Sequence, residues 1–149
     1  MIESVIADLA NNESINHYAL KLQAISRNLK NDTFSQWLTK EIDGYRNADT
    51  VPIYRILTTQ VKANFIIDRG FNKVQISNHS IPLYPLGEKL SKEISTIAIK
   101  DSIIALTKFL EGNESIAYST TDYERIKLSK VYEDCTILSA HKPIRKSDF

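Results

Sequence analysis

Five polar and aromatic side chains around the end of one predicted helix are the strongest candidates for chemistry in this sequence. They are Glu41, Tyr45, Arg46, Tyr54 and Arg55. A carboxylate beside arginines keeps its charge and forms charge-assisted hydrogen bonds. One hypothesis is therefore that Glu41 bonds Arg46 or Arg55 and locks the helix to the strand that follows. The other is a pocket in which arginine clamps a phosphate or nucleotide and tyrosine offers a stacking face.

A second candidate set is basic and lies on a predicted β-hairpin. It consists of Lys62, Arg69 and Lys73, with the aromatic residues Tyr54 and Phe71 nearby. Such a set can bind single-stranded nucleic acid, because cations contact phosphates while rings stack on bases. The alternative hypothesis is that the lysines protect an exposed sheet edge against aggregation.

No motif in the sequence identifies a catalytic centre, so the catalytic residues are unknown. None of the four glycines stands in a phosphate-binding run. The three histidines, His17, His79 and His141, lack the spacing of metal ligands. Cys135 is the only cysteine; it can be a nucleophile beside a histidine, but a lone cysteine is more often a small buried hydrophobe. We expect no metal and no cofactor.

The first candidate set is positioned by a helix, a glycine and a strand. Thr33 and Gln36 fit a capping box at the start of the helix. The helix has an apolar stripe of Phe34, Trp37, Leu38 and Ile42, which predicts that Trp37 is buried. Gly44 is expected to end the helix with a positive φ angle. From Tyr54 to Ile67 the pattern changes to an alternation of two, which predicts one long strand whose inward phase includes Arg55.

The remaining pattern predicts an α+β fold, with an N-terminal helical bundle on a small antiparallel sheet. Two helices precede Thr33, and Ser14 is expected to cap the second. A hairpin of about residues 54–77 follows, with a further turn at 78–80. Later elements are short helices around Leu90, after Asp101 or Ser102 and after Thr121, and a last strand over 136–140.

Composition predicts one globular domain in a reducing, cytoplasmic compartment. The chain has 149 residues, 42% hydrophobic and 25% charged, with a net charge of +1. Such a small net charge gives no strong general attraction to nucleic acid or anionic membranes. The N-terminus lacks the basic and apolar regions of a signal peptide, and no apolar run is long enough to span a membrane.

A signature in the middle of the chain resembles the AbiTii domain of bacterial abortive-infection systems. It consists of Trp37-Leu38, Glu41-Ile42 and Gly44-Tyr45, then Pro52 and Tyr54-Arg55. The family pattern is roughly W-x-x-x-E-L-x-G-Y, a short polar gap, and L-P-x-Y-R; Ile42 and Val51 depart from its two leucines. The resemblance implies a role in phage defence as a toxin or effector, and it supplies no catalytic residue.

These observations lead to one main functional hypothesis and one alternative. The main hypothesis is an effector, toxin or interaction domain spanning residues 1–149, which acts by binding a protein partner, a second copy of itself or a phage or host target. Nucleic acid is a further candidate partner, and no membrane is expected. The alternative is an enzyme toxin that attacks nucleic acid or nucleotides. The chain is either a short member of the family or the N-terminal part of a longer protein.

Overall fold

The computed structural model describes residues 2–11, 15–112 and 115–149, and the described residues form an α+β fold, as predicted. The helices are α1 (Ile2–Ala10), α2 (Ile15–Asn28), α3 (Asp32–Asp43), α4 (Glu88–Ser95), α5 (Ile103–Glu111) and α6 (Asp122–Val131). The strands are β1 (Ile56–Thr58), β2 (Val61–Asp68), β3 (Lys73–Ile81), β4 (Thr96–Ala98), β5 (Ile116–Ser119) and β6 (Cys135–Ile144). No described helix combines the length and apolar content that crossing a membrane requires.

Backbone contacts divide the chain into two compact units. The helical unit comprises Met1–Pro52 and Ile99–Asn113, and the sheet unit comprises Ile53–Ala98 and Glu114–Phe149. The prediction of one domain over residues 1–149 stays a prediction. In the helical unit, α2, α3 and α5 share an apolar core that buries Ala19, Leu38 and Ile42. Helix α1 joins α2 through Lys21, which donates to Asp8 Oδ2 at 2.6 Å.

Helix α3 ends as predicted but begins earlier than predicted. The N-cap is Asn31, whose Oδ1 accepts a hydrogen bond from the Phe34 N–H at 3.0 Å. The proposed Thr33–Gln36 capping box is therefore wrong, because the asparagine two residues before Thr33 already occupies the cap. Gly44 has φ +91° and ψ 163°, so the predicted positive φ is confirmed. Ser14 lies outside the described residues.

The predicted burial of Trp37 is also wrong. Its side chain is 41% exposed, and its ring stacks on that of Phe34 with centroids 5.7 Å apart. The buried stripe of α3 is centred on Leu38, Glu41 and Ile42. At helical spacing Trp37 falls at the edge of that stripe, where its ring packs along the helix surface.

The sheet unit contains a four-stranded antiparallel sheet in the order β3-β2-β6-β5 and a small antiparallel pair of β1 and β4. One face of the larger sheet is covered by α4 and α6. The core beneath them consists of Val61, Ala63, Ile81, Ile94, Leu128, Ile137 and Ala140. The 3₁₀ turn Ile53–Arg55 precedes β1.

The predicted hairpin exists, but its strands are placed differently. The single strand expected from Tyr54 to Ile67 is divided into β1 and β2, which belong to different sheets. A turn at residues 69–72 closes the hairpin, with the Arg69 N–H donating to the Asn72 carbonyl at 3.0 Å. The second turn expected at 78–80 is wrong, because β3 continues to Ile81.

Two β-bulges flank one residue of β2. Pairing shifts by one residue at Asn64 on the β3 side, where Asn78 has φ +53°, and again on the β6 side, at Leu138. The Asn64 side chain joins both neighbours, since its Oδ1 accepts from the Asn78 N–H at 2.7 Å and its Nδ2 donates to Ser139 at 2.9 Å. Each bulge changes which face the next side chains occupy.

The later helices largely match the sequence pattern. Ser102 caps α5 through a hydrogen bond from the Ala105 N–H at 3.2 Å. Thr121 and Glu124 form the predicted capping box at the start of α6. Strand β6 is longer than the expected 136–140 segment, and β5 was not expected.

Candidate functional site

An open cleft in the helical unit lies between α3 and the loop that follows it. Its volume is about 360 Å³, which is within the range of small-molecule pockets. Ser35, Gln36, Thr39, Lys40, Asp43, Gly44, Arg46 and Asp49 line it. Arg46 is thus the member of the first predicted set that reaches the cleft.

Asp49 fixes the loop on the far side of the cleft. Its Oδ2 accepts from the Arg46 N–H at 2.7 Å, and its Oδ1 pairs with Lys40 Nζ at 2.7 Å. The hydrogen bond from Lys40, followed by that from the Arg46 backbone, lowers the pKa of Asp49 below its ordinary value. Asp49 therefore stays charged and holds the loop, while the Arg46 side chain is exposed at the cleft.

Glu41 and Tyr45 lie buried in the same helix and loop segment. The Tyr45 hydroxyl donates to Glu41 Oε1 at 2.6 Å, and the two residues are 7% and 5% exposed. The Tyr45 N–H also donates to the Lys100 carbonyl at 2.8 Å, which ties the loop to the segment before α5. Because its ring is buried and its hydroxyl is bonded, Tyr45 supports the loop rather than offering a stacking face.

Gly44 permits this close approach of two backbone segments. A Cβ atom at this position would lie 2.9 Å from the Lys100 carbonyl oxygen and 3.3 Å from the Ser102 nitrogen. Its φ and ψ fall in a region that only glycine adopts readily. Glycine is thus required here both by the backbone conformation and by the space available.

Tyr54 and Arg55, the other members of the first set, belong to the sheet unit. Arg55 is 5% exposed, whereas Tyr54 is 60% exposed. The inward position expected for Arg55 is confirmed, although it lies in a 3₁₀ turn and not in a strand. The pairing of Glu41 with Arg55 stays a prediction.

The basic hairpin set is spread along β2 and the turn beyond it. Arg69 and Lys73 flank the turn, where Phe71 is fully exposed. Lys73 Nζ lies 3.8 Å from Asp68 Oδ2, and both side chains are largely exposed. Lys62 lies at the opposite end of β2 and is half-buried. The set therefore divides into a two-cation tip and one distant lysine.

A buried ion pair in the sheet unit was not expected from the sequence. Lys142 Nζ donates to Glu124 Oε1 at 2.6 Å and to the Thr96 carbonyl at 3.1 Å, and both charged side chains are buried. Glu124 Oε2 accepts from the Thr121 N–H at 2.8 Å. Lys142 shares the inward phase of β6 with Ala140 and Ile144, and the local sequence alone does not specify that phase.

The remaining candidate groups do not form a recognisable catalytic arrangement in the described part of the chain. No group of three or more His, Cys, Asp or Glu side chains among residues 2–11, 15–112 and 115–149 is placed to hold a metal ion. Cys135 packs against the apolar core of the sheet unit, and burial raises the pKa of its thiol. A thiol with a raised pKa is a poor nucleophile, because the thiolate is the reactive form.

Comparison with known proteins identifies a family. No curated protein and no solved structure matches the chain. The family model AbiTii matches residues 1–149, which is the full length of the chain. This agrees with the central signature, whose glutamate, glycine and tyrosine form the buried support of the cleft. The chain therefore belongs to the AbiTii family, whose name denotes a component of abortive-infection systems.

Proposed function

We propose that this chain is an effector of an abortive-infection system and that it acts by binding a protein partner or target at the α3 cleft. The observation that carries the proposal is the exposed Arg46 beside a concave surface of about 360 Å³. The loop that carries Arg46 is held by buried and charged hydrogen bonds, so the surface is ordered before a partner binds. Such preorganisation lowers the entropic cost of association.

The charges of the cleft favour a protein over a nucleic acid at this site. Lys40 is already paired with Asp49, which leaves Arg46 and Asp43 as exposed charges of opposite sign. A polynucleotide would bring its phosphates toward Asp43, whereas a protein segment can place an acid on Arg46 and a donor on Asp43. Arginine binds carboxylates through two parallel hydrogen bonds, which gives such a contact its geometry.

The proposal is tested by inducible expression in a bacterial host, with and without phage. We expect the wild type to restrict phage or to arrest growth after infection, and Arg46→Ala to lose this effect while remaining folded. Arg27→Ala is the matched control, because Arg27 is an exposed arginine of the same unit, in α2. Equal activity of Arg46→Ala and the wild type would contradict the proposed site.

The same strains distinguish binding from the enzymatic alternative. Purified wild-type protein is incubated with nucleic acid and with nucleotides, and the products are separated. We expect no turnover. Hydrolysis that requires residues of this chain would replace the binding proposal with an enzyme toxin.

A further inference from the structure

We propose that the tip of the β2–β3 hairpin binds single-stranded nucleic acid, with Phe71 stacking on a base and Arg69 and Lys73 contacting phosphates. This surface belongs to the sheet unit, and the inference does not depend on the proposed role of the α3 cleft. Three features of the tip carry it: the exposed ring, the flanking cations and the ordered turn.

Phe71 is 106% exposed relative to a reference residue, the largest exposure among the large apolar residues in the described part of the chain. The ring therefore packs on nothing in the chain and contributes no burial to the fold. Both faces of the ring are open to a planar ligand. Bases stack on aromatic rings irrespective of base identity, since every base has a π-face.

The turn that presents Phe71 is ordered by local hydrogen bonds. Asp68 Oδ1 accepts from the Gly70 N–H at 2.9 Å, and the Arg69 N–H donates to the Asn72 carbonyl at 3.0 Å. Gly70 adopts φ +79°, which closes the turn without strain. A ligand thus meets a ring whose backbone is already fixed, and less entropy is lost on binding.

Two cations flank Phe71 along the chain, each two residues away. Arg69 and Lys73 are exposed, and the contact of Lys73 with Asp68 spans 3.8 Å between side chains that are 73% and 57% exposed. Exposed pairs of this kind contribute little to stability, so Lys73 can transfer to a phosphate at small cost. In a nucleic-acid strand a phosphate precedes and follows each nucleoside. A cation before and after Phe71 in the chain can therefore contact the two phosphates of a nucleotide whose base stacks on the ring.

Lys62 lies at the end of β2 opposite to this tip. It lies on the sheet face opposite to the buried Val61 and Ala63, about 20 Å from the turn by strand rise. A strand that follows β2 from the tip can therefore reach a third cation. A membrane is a weaker candidate, because Phe71 is flanked by Gly70 and Asn72 and offers the bilayer one apolar side chain alone.

The experiment is fluorescence anisotropy of labelled oligo(dT) and oligo(U) with the purified full chain at low salt. Replacing Phe71 by Ala should weaken binding about 5- to 150-fold, the range for loss of one stacked base. Phe71→Leu should weaken it nearly as much, because leucine keeps the apolar area but has no ring face. Tyr84→Ala is the matched control, since Tyr84 is another highly exposed aromatic residue of the sheet unit.

Salt dependence tests the cations separately. Lys73→Gln should reduce the slope of log affinity against log salt by about 0.7, the value for one phosphate contact on a single strand. Lys89→Gln, at an exposed lysine of α4, should leave the slope unchanged. No oligonucleotide binding by the wild type, or equal binding by wild type and Phe71→Ala, would overturn the inference. Phe71-dependent binding to anionic phosphatidylserine vesicles without oligonucleotide binding would overturn it in favour of a membrane.

Discussion

Tyr45 donates its phenolic hydrogen to Glu41 Oε1 at 2.6 Å, one helical turn away along the chain, and both side chains are buried. The hydrogen bond joins the last turn of α3 to the loop that carries Arg46. Gly44 lies between the two residues and brings the loop backbone against Lys100. The segment from Glu41 to Tyr45 therefore supports the loop that carries the exposed Arg46.

Tyr45→Phe should destabilise the chain by about 1–3 kcal/mol, because it removes this donor from a buried carboxyl oxygen of Glu41 and changes little volume. Chemical denaturation measures this free energy of unfolding. Tyr84→Phe, at an exposed tyrosine, should change it by less than about 0.5 kcal/mol. A loss at Tyr45 no larger than at Tyr84 would show that the hydrogen bond does not stabilise the loop.

Gly44→Ala should destabilise the chain more than Gly70→Ala does. Both glycines have positive φ, at +91° and +79°, so each substitution strains the backbone by about 1–3 kcal/mol. A Cβ at Gly44 also meets the Lys100 carbonyl oxygen at 2.9 Å, whereas a Cβ at Gly70 meets nothing within 4 Å. The difference in melting temperature between Gly44→Ala and Gly70→Ala measures the cost of the contact with Lys100. Equal melting temperatures would show that this contact has no cost.

Arg55→Ala should destabilise the chain, because Arg55 is 5% exposed and a buried charge is retained only with a partner. Chemical denaturation measures the loss. If Arg55 instead clamps a ligand, Arg55→Ala should stay folded and lose phage-triggered activity. Unchanged stability together with full activity would reject both hypotheses.

Lys142→Met should destabilise the chain by about 3–5 kcal/mol, because it leaves the Glu124 carboxylate buried without its cation. Lys130→Met, at an exposed lysine of α6, is the matched control. Adding Glu124→Gln to Lys142→Met should recover part of the loss, since the double variant buries no charge at this position. Urea unfolding measures the loss of stability. Equal losses for Lys142→Met and Lys130→Met would show that the Lys142–Glu124 pair does not stabilise the fold.

The sequence predicted most local features of the fold, because caps, glycine stops and apolar periodicity are encoded within a few residues. Gly44, Ser102 and the Thr121–Glu124 box are examples. The buried Lys142 could not be found in this way. The bulge at Leu138 shifts the phase of β6, so that Ala140, Lys142 and Ile144 turn inward after Ile137. A bulge depends on the register of the neighbouring strand, which the local sequence does not specify.

The sequence named some residues of the candidate site but not the ion pair that fixes its loop. Arg46 lies at the cleft, whereas Glu41 accepts a hydrogen bond from Tyr45, a partner that was not predicted for it from the sequence. Lys40 and Asp49 were not recognised as the pair that fixes the loop. Their contact depends on how the loop folds back along α3, which no helical periodicity describes.

The proposed function requires that the exposed charge of Arg46 binds a partner. The most direct measurement is the efficiency of phage plating on strains expressing Arg46→Lys, Arg46→Ala, Arg46→Glu and the wild type at equal protein abundance. We predict that protection decreases in the order wild type, Arg46→Lys, Arg46→Ala, Arg46→Glu. Lysine keeps the positive charge, alanine removes it and glutamate reverses it, while α3 and its loop stay folded. Equal protection by all four proteins would contradict the claim.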